Sequence, residues 1–297
     1  MPASAVRTFT DPDDYTASIR GANTEVTVTG RGEFTAKLIR IDLHRLWMHR
    51  FSDNLPRIAH TSHMKGRAFT LFRTQPGPSL LAGGLDMQPT NIVRHSDADA
   101  YHQRSSGSAS FAAMSLPVED MVSVGATIAG LDLTLPKDAL ILTPAPHALA
   151  KLQRLHAAAG QLAEDAPEII ANPEAARGLE QALIEALVGC LDNREALPNG
   201  SAQGQHAIIM RRFRRVVEEN SEQPLYIPEI CKAIRVSDRT LRMVCQEHLG
   251  MGPKRYLLLR RMHLARGALR HSAPDVASVT DVATRLGFWQ LGRFAVE

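Results

Sequence analysis

The stretch SDRTLRMVCQ, Ser237 to Gln246, places Arg239, Arg242 and Gln246 at spacings of three and four, one face of a helix, while Leu241 and Val244 point the other way. A guanidinium on such a face can donate two parallel hydrogen bonds to O6 and N7 of guanine, worth about 1 to 3 kcal/mol of discrimination. Arg239 and Arg242 are the leading base-reading candidates, with Asp238 and Gln246 exposed beside them. The competing role for each arginine is a phosphate contact or a solvated charge. Thr240 serves the helix start or approaches a phosphate. Lys254, Arg255, Arg260 and Arg266 are expected to neutralise backbone phosphates or to lie on a solvated face.

Other chemistry is poorly supported. His44, His49, His60, His63, His95 and His102 fall where a metalloenzyme of the cupin type would gather its ligands, but no compact pair of histidines with a Glu at that spacing is present. They read as surface or satisfied interior histidines. No GxGxxG, phosphate loop or GxSxG occurs, so no enzyme, cofactor or metal is expected. Cys190, Cys231 and Cys245 are odd in number and lack CxxC spacing, which suits buried thiols better than disulfides or zinc.

The elements that must carry the arginines are helices. Ile227, Ile230, Cys231 and Ile234 form a short helical pattern, Arg235-Val236 breaks it, and Ser237 is placed as an N-cap for the next helix. That is helix-turn-helix spacing. A second copy follows. Moving 52 residues on matches Ile227 to Val279, Ile230 to Val282, Cys231 to Ala283, Ile234 to Leu286 and Val236 to Phe288; one added residue then matches Leu241 to Phe294. Core positions repeat and surface positions do not, as a duplicated unit requires. The connecting helix, Lys254 to Arg270, would span about 25 Å and can hold two readers roughly 34 Å apart, one turn of duplex.

Upstream the texture differs. From about Glu25 to Leu116, runs such as EVTVT, FTAKLIRIDL and RAFTLFRT alternate with Gly, Pro, Ser and Asp clusters, a β-rich pattern with Gly83-Gly84 offering a turn. The apolar phase changes within FTAKLIRIDL, which fits either a bulge or a strand buried on both faces. Leu149, Leu152, Leu155 and Leu162 then mark one amphipathic helix, and Leu179, Leu183, Ile184, Leu187, Val188 and Leu191 a stronger one. Each can cover the β-domain or form a dimer seam. LPNGSAQGQ, Leu197 to Gln205, reads as a linker.

Charge divides along the same line. From Gly204 onward there are 16 Lys and Arg against 9 Asp and Glu, a net +7, while the remaining 18 against 22 give −4. A basic C-terminal part suits a polyanion partner. With no run of 18 apolar residues and no leader-like start, neither membrane insertion nor export is indicated, and a cytoplasmic protein is expected.

Residues from about Gly204 to the end resemble the DNA-binding domain of the AraC/XylS family of bacterial transcriptional regulators. SDRTL, the Gly250 and GPKRY region, the Arg261, Ala265, Leu269 spacing and VTDVATRLGF carry the resemblance. It implies two recognition helices in successive major grooves of double-stranded promoter DNA, and a cupin-like N-terminal effector domain followed by dimerisation helices. The expected fold is therefore α+β: residues 1–145 a β-rich cupin-like barrel, 146–203 amphipathic helices and linker, and 204–297 the double helix-turn-helix domain. Base-contacting family positions align with Arg239, Arg242 and Met243 in the first unit, and with Leu291, Gly292, Ala295 and Val296 in the second. There only thymine methyl contacts are available, leaving Gln290 and Arg293 as polar candidates. The first unit is expected to carry most direct readout, and the second helix to end unfinished at Glu297, weakening DNA binding relative to a longer chain. Expected partners are promoter DNA, a second copy in a homodimer, a small-molecule effector, RNA polymerase if the protein activates, and no membrane. A cupin-type metalloenzyme with a helical tail and a ligand-independent regulator answering to a protein partner are the alternatives.

Overall fold

The computed structural model describes residues 1–96, 100–192, 194–196, 201–220, 223–271 and 278–294. They form two compact units, residues 1–26 with 30–198, and residues 27–29 with 199–297.

The first unit is built on strands β1 (Ala3–Phe9), β2 (Ala22–Val28), β3 (Ala36–Asp42), β4 (Trp47–Asp53), β5 (Arg57–His63), β6 (Arg67–Arg73), β7 (Leu80–Ala82), β8 (Leu85–Asp86), β9 (Ile92–Arg94), β10 (Tyr101–Ser105), β11 (Ala109–Pro117), β12 (Leu140–Pro144) and β13 (Arg194–Ala196). Its helices are α1 (Pro12–Ala17), α2 (Val118–Ala129), α3 (Pro146–Asp165), α4 (Pro167–Ala171) and α5 (Pro173–Asp192). The strands make two sheets, β1-β3-β4-β11-β6-β9-β12-β13 and β2-β5-β10-β7-β8. Their ladders are antiparallel, and β7 and β8 turn through Gly83-Gly84, both at positive φ, as a two-residue hairpin.

The mixed α+β class is as expected, but the barrel is not closed. Among the described residues no ladder joins the edge strands of one sheet to the other. In β3, Leu38, Ile39 and Ile41 are all buried and pairing with β1 and β4 runs without a bulge. A strand buried on both faces needs cover on both, and α3 packs on β1 and β3 while α5 packs on α3 and β12.

The α5 stripe is consumed by this packing. Leu183, Ile184, Leu187, Val188 and Leu191 are fully buried, and α5 packs on α2, α3, α4 and β12. Buried Glu180 accepts the backbone N–H groups of Arg45 at 2.6 Å and Leu46 at 2.9 Å, tying α5 to the β3–β4 turn. In α3 the buried face runs through Leu149, Leu152, His156, Ala159, Gly160 and Ala163, with Leu155 and Leu162 only half-buried.

Several histidines lie inside the sheets. Burial, reinforced by Arg40, Arg20 and Arg67, pushes His49 down to about 3, and burial alone pushes His63 down to about 4. His63 stacks on Phe69 and meets His95 edge-on, with ring centroids 4.0 and 4.7 Å apart.

The second unit is helical: α6 (Ser201–Glu219), α7 (Ile227–Ile234), α8 (Asp238–Leu249), α9 (Pro253–His271), α10 (Val279–Arg285) and α11 (Leu291–Phe294). Helix α6 starts inside the stretch read as a linker, whose residues 197–200 lie outside the described ones. Its buried Ile209, Met210, Phe213 and Val217 line one face, and it packs on α7 and α8.

Because His49 and His63 fold in the neutral form, the unfolded chain binds more protons below their ordinary pKa near 6.5. Their contribution is complete above that pH and falls as pH drops toward 4, by up to about 1.4 kcal/mol per pH unit for each histidine. Urea unfolding between pH 7 and 4.5 should show this slope, reduced in His63→Phe.

Candidate nucleic-acid interface

The first helix-turn-helix is fixed by its turn. Arg235 ends α7 in the left-handed region, at φ 59 and ψ 49, and the Val236 N–H donates back to the Cys231 carbonyl at 3.1 Å. Ser237 then caps α8 by accepting the Thr240 N–H at 3.1 Å, and its hydroxyl also bonds the Thr240 hydroxyl at 2.8 Å. Thr240 thus serves the helix start. Leu241, Val244, Cys245 and Leu249 are buried, which turns Asp238, Arg239, Arg242, Met243 and Gln246 outward. The Nδ1 of His206 on α6 lies 2.7 Å from Glu247 Oε2, on the supporting side of α8.

The second unit repeats this construction. Gly287, which corresponds to Arg235, has φ 79, and the Phe288 N–H donates to the Ala283 carbonyl at 2.9 Å as Val236 does to Cys231. Ser278 caps α10 through the Asp281 N–H at 3.1 Å. Helix α11 begins at Leu291, one residue later than the 52-residue offset from α8 would give, so the added turn residue is real. Gln290 stands where Ser237 stands in the first copy, and the Phe294 N–H reaches its carbonyl at 3.1 Å, matching the bond from Leu241 to Ser237 at 2.9 Å.

Helix α9 joins the two. It packs on α8 and α10, with Ala265, Val282, Ala283, Leu286 and Phe288 forming one core that Phe294 partly closes. Arg261 is engaged with the second helix-turn-helix. Its Nη1 donates to the carbonyls of Gly287 at 3.3 Å and Leu286 at 3.5 Å, and its guanidinium lies 5.0 Å from the Phe288 ring centre. It therefore caps the end of α10 from outside. Sequence reading noted Arg261 only as part of a spacing, because a partner 25 residues away leaves no local signal.

The expected readers fall into distinct settings. Arg239 is exposed, and no hydrogen bond or ion pair holds it among the described residues. Arg242 is held by Asp238, one turn earlier, with Nε 3.0 Å from Oδ1 and Nη2 2.6 Å from Oδ2. This grip leaves Nη1 and one N–H of Nη2 facing outward, the edge that guanine recognition uses. Both partners are largely exposed, so the pair is worth only a few tenths of a kcal/mol and opens easily. The spacing of four was a usable signal for it. In the second unit Trp289, Gln290, Leu291 and Gly292 are exposed. The side chain of Arg293, and Ala295 and Val296, lie outside the described residues. Arg260, expected on a phosphate-facing or solvated surface, is instead buried. Lys254, Arg255 and Arg266 are exposed.

Among the described residues no group of three or more His, Cys, Asp or Glu is placed to hold a metal ion. The thiols of Cys190 and Cys245 are buried and pushed up to about 12 by burial, and Cys231 is half-buried.

The two turns make opposite demands at equivalent positions. A Cβ on Gly287 would stand 2.8 Å from Pro224 Cβ, on a backbone already left-handed. Gly287→Ala should cost about 2 kcal/mol or more, whereas Arg235→Gly relieves a left-handed side-chain residue and should gain up to about 1 kcal/mol. Chemical denaturation of both variants beside the parent checks the signs.

A helix-turn-helix domain family model matches residues 230–297. The probable thc operon regulatory protein of Rhodococcus erythropolis is 37% identical over 89 residues, covering 30% of this chain and 27% of that protein. The XylDLEGF operon transcriptional activator of Pseudomonas putida is 34% identical over 86 residues, covering 28% of this chain and 27% of that one. The chain thus matches well under two thirds of these relatives' lengths. The AraC-like transcriptional activator CuxR, a solved structure, aligns over 93% of this chain and 98% of its own, with 14% identity and a TM-score of 0.43. Residues 230–297 of this chain thus carry a helix-turn-helix domain, and its C-terminal part is similar in sequence to these two operon regulators.

Proposed function

We propose that the whole chain is a sequence-specific regulator of transcription that acts in the cytoplasm on double-stranded promoter DNA and performs no catalytic step. The carrying observation is α8. Its inner face is anchored by Leu241, Val244 and Cys245, and its outer face offers Arg239, Arg242, Met243 and Gln246 together. In this reading α8 enters a major groove with Arg239 and Arg242 on base edges and Asp238 orienting Arg242. Met243 and Gln246 pack beside them. The second unit positions the domain on the next groove, with Gln290 and the apolar Leu291 at its surface and Arg293 as a further polar candidate.

The N-terminal unit is read as the regulatory part, taking a small-molecule effector that changes how the DNA-binding domain is presented. A homodimer would bring two such domains to one promoter, through a surface other than the buried stripe of α5. Contact with RNA polymerase belongs to this reading where the outcome is activation.

The test is selection of bound sequences from random DNA with the complete chain, then titration of variants on the selected site and on random DNA. Arg239→Ala and Arg242→Ala should each weaken the selected site by about 10- to 100-fold, with an unchanged salt slope and little change on random DNA. Equal losses on both, with a salt slope lower by about 1, would make them phosphate contacts. Asp238→Asn should relax preference at the base pair that Arg242→Ala also affects.

A further inference from the structure

The regular pairing of β1, β3 and β4 sets Ala5, Arg40 and His49 in one row and Arg7, Leu38 and Phe51 in the next. Directly opposed residues share a face of the sheet, so both rows look the same way. Two spaces open along them. The inner one, around His49, Phe51, Tyr15 and Arg57, has a volume of only about 50 Å³, room for a few waters at most. The outer one, bounded by Ala5, Arg7, Leu38 and Arg40 and by Ala17 to Arg20 after α1, measures about 460 Å³, within the usual range for small-molecule sites. Ile19 and Arg20 line both.

The outer basin is short of negative charge. Arg20 lies 2.6 Å from Asp42 and 4.0 Å above the Trp47 ring, and Arg40 shares the same carboxylate at 3.4 Å. Arg7 makes no hydrogen bond or ion pair among the described residues. Three guanidiniums against one carboxylate leave a surplus of two positive charges around a floor of Ala5, Ala17, Ile19 and Leu38. A monoanion would compensate only half of that surplus. Planar guanidinium forks suit the paired oxygens of carboxylate and phosphate.

We propose that this basin binds a small organic dianion, a phosphate monoester or a dicarboxylate, with its charged groups on Arg7 and Arg40 and its carbon part on Leu38 and Ile19. As the seat of an effector the basin rests on the regulator reading; as a binding site it does not.

The test uses the full chain carrying Trp289→Phe, which leaves Trp47 as its single tryptophan. Phenyl phosphate, succinate and acetate are titrated at constant ionic strength, with binding followed by calorimetry and by Trp47 emission, and operator binding is measured in parallel on the chain that keeps Trp289. Saturable binding of phenyl phosphate or succinate is expected, at least tenfold tighter than acetate. It should weaken at least tenfold in Arg7→Ala and in Arg40→Gln and stay unchanged in Arg154→Ala on α3. The arm that binds distinguishes a phosphate from a dicarboxylate. Absence of saturable binding for both dianions, or undiminished binding in Arg7→Ala, overturns the site and makes Arg7 a charge that guards the sheet edge. Failure of dianion binding with operator recognition intact removes the site alone. Dianion binding without operator recognition removes the regulator reading and keeps the site.

Discussion

The geometry of the C-terminal helical unit depends on one backbone constraint used twice. A left-handed residue, Arg235 in one copy and Gly287 in the other, ends the supporting helix and lets the next N–H return to a carbonyl five residues back, from Val236 to Cys231 and from Phe288 to Ala283. That bond fixes where the following helix departs. What α8 exposes follows from it, with Leu241, Val244 and Cys245 buried on its other side. The second copy relies on the same bond and adds Arg261, which binds the turn carbonyls from α9 where the reader itself has few anchors. The copies therefore differ in their source of order, the first drawing on a capped two-sided helix and the second on the connecting rod.

The N-terminal half is governed by a different requirement. A long sheet whose strands are buried on both faces must be covered twice, and α3 and α5 supply the outer cover. Doing so buries the apolar stripe of α5. On its inner side, Asp53 and Arg57 are almost completely buried as an ion pair at 2.9 Å. Neutral histidines among aromatic rings complete that interior. The arginines of the proposed basin lie farther out, at the edge formed by β1, where the register sets Arg7 and Arg40 in adjacent rows on one face.

Much of this was legible in the residues, and the limits have physical causes. The helix-turn-helix and its repeat could be read because packing dictates Ile230, Cys231 and Ile234 in one copy and Val282, Ala283 and Leu286 in the other, and even the extra turn residue left a trace in the offset of Phe294. The Ser237 cap was visible for the same local reason. Barrel closure was not, since alternation reports which residues share a face and says nothing of whether the last strand meets the first. The choice between core and dimer for α5 was undecidable from a stripe that serves both. Arg260 was misplaced because Tyr256, Leu257, Leu258 and Leu259 give its helix no clear outer face. Ser278 as a cap, the fork held by Asp238 and the basin at Arg7 emerged only with coordinates, the last because its residues are distant in sequence.

Guanine N7 methylation interference, on the DNA sequence selected by the complete chain, tests most directly whether α8 reads bases through its arginines. Methylation blocks the atom that a guanidinium would bond in the major groove. Loss of binding on methylation of one or two guanines in a single half-turn is predicted for the parent, with one of those sensitivities disappearing in Arg242→Ala. Binding indifferent to guanine methylation, or a pattern unchanged in both Arg239→Ala and Arg242→Ala, would contradict the account.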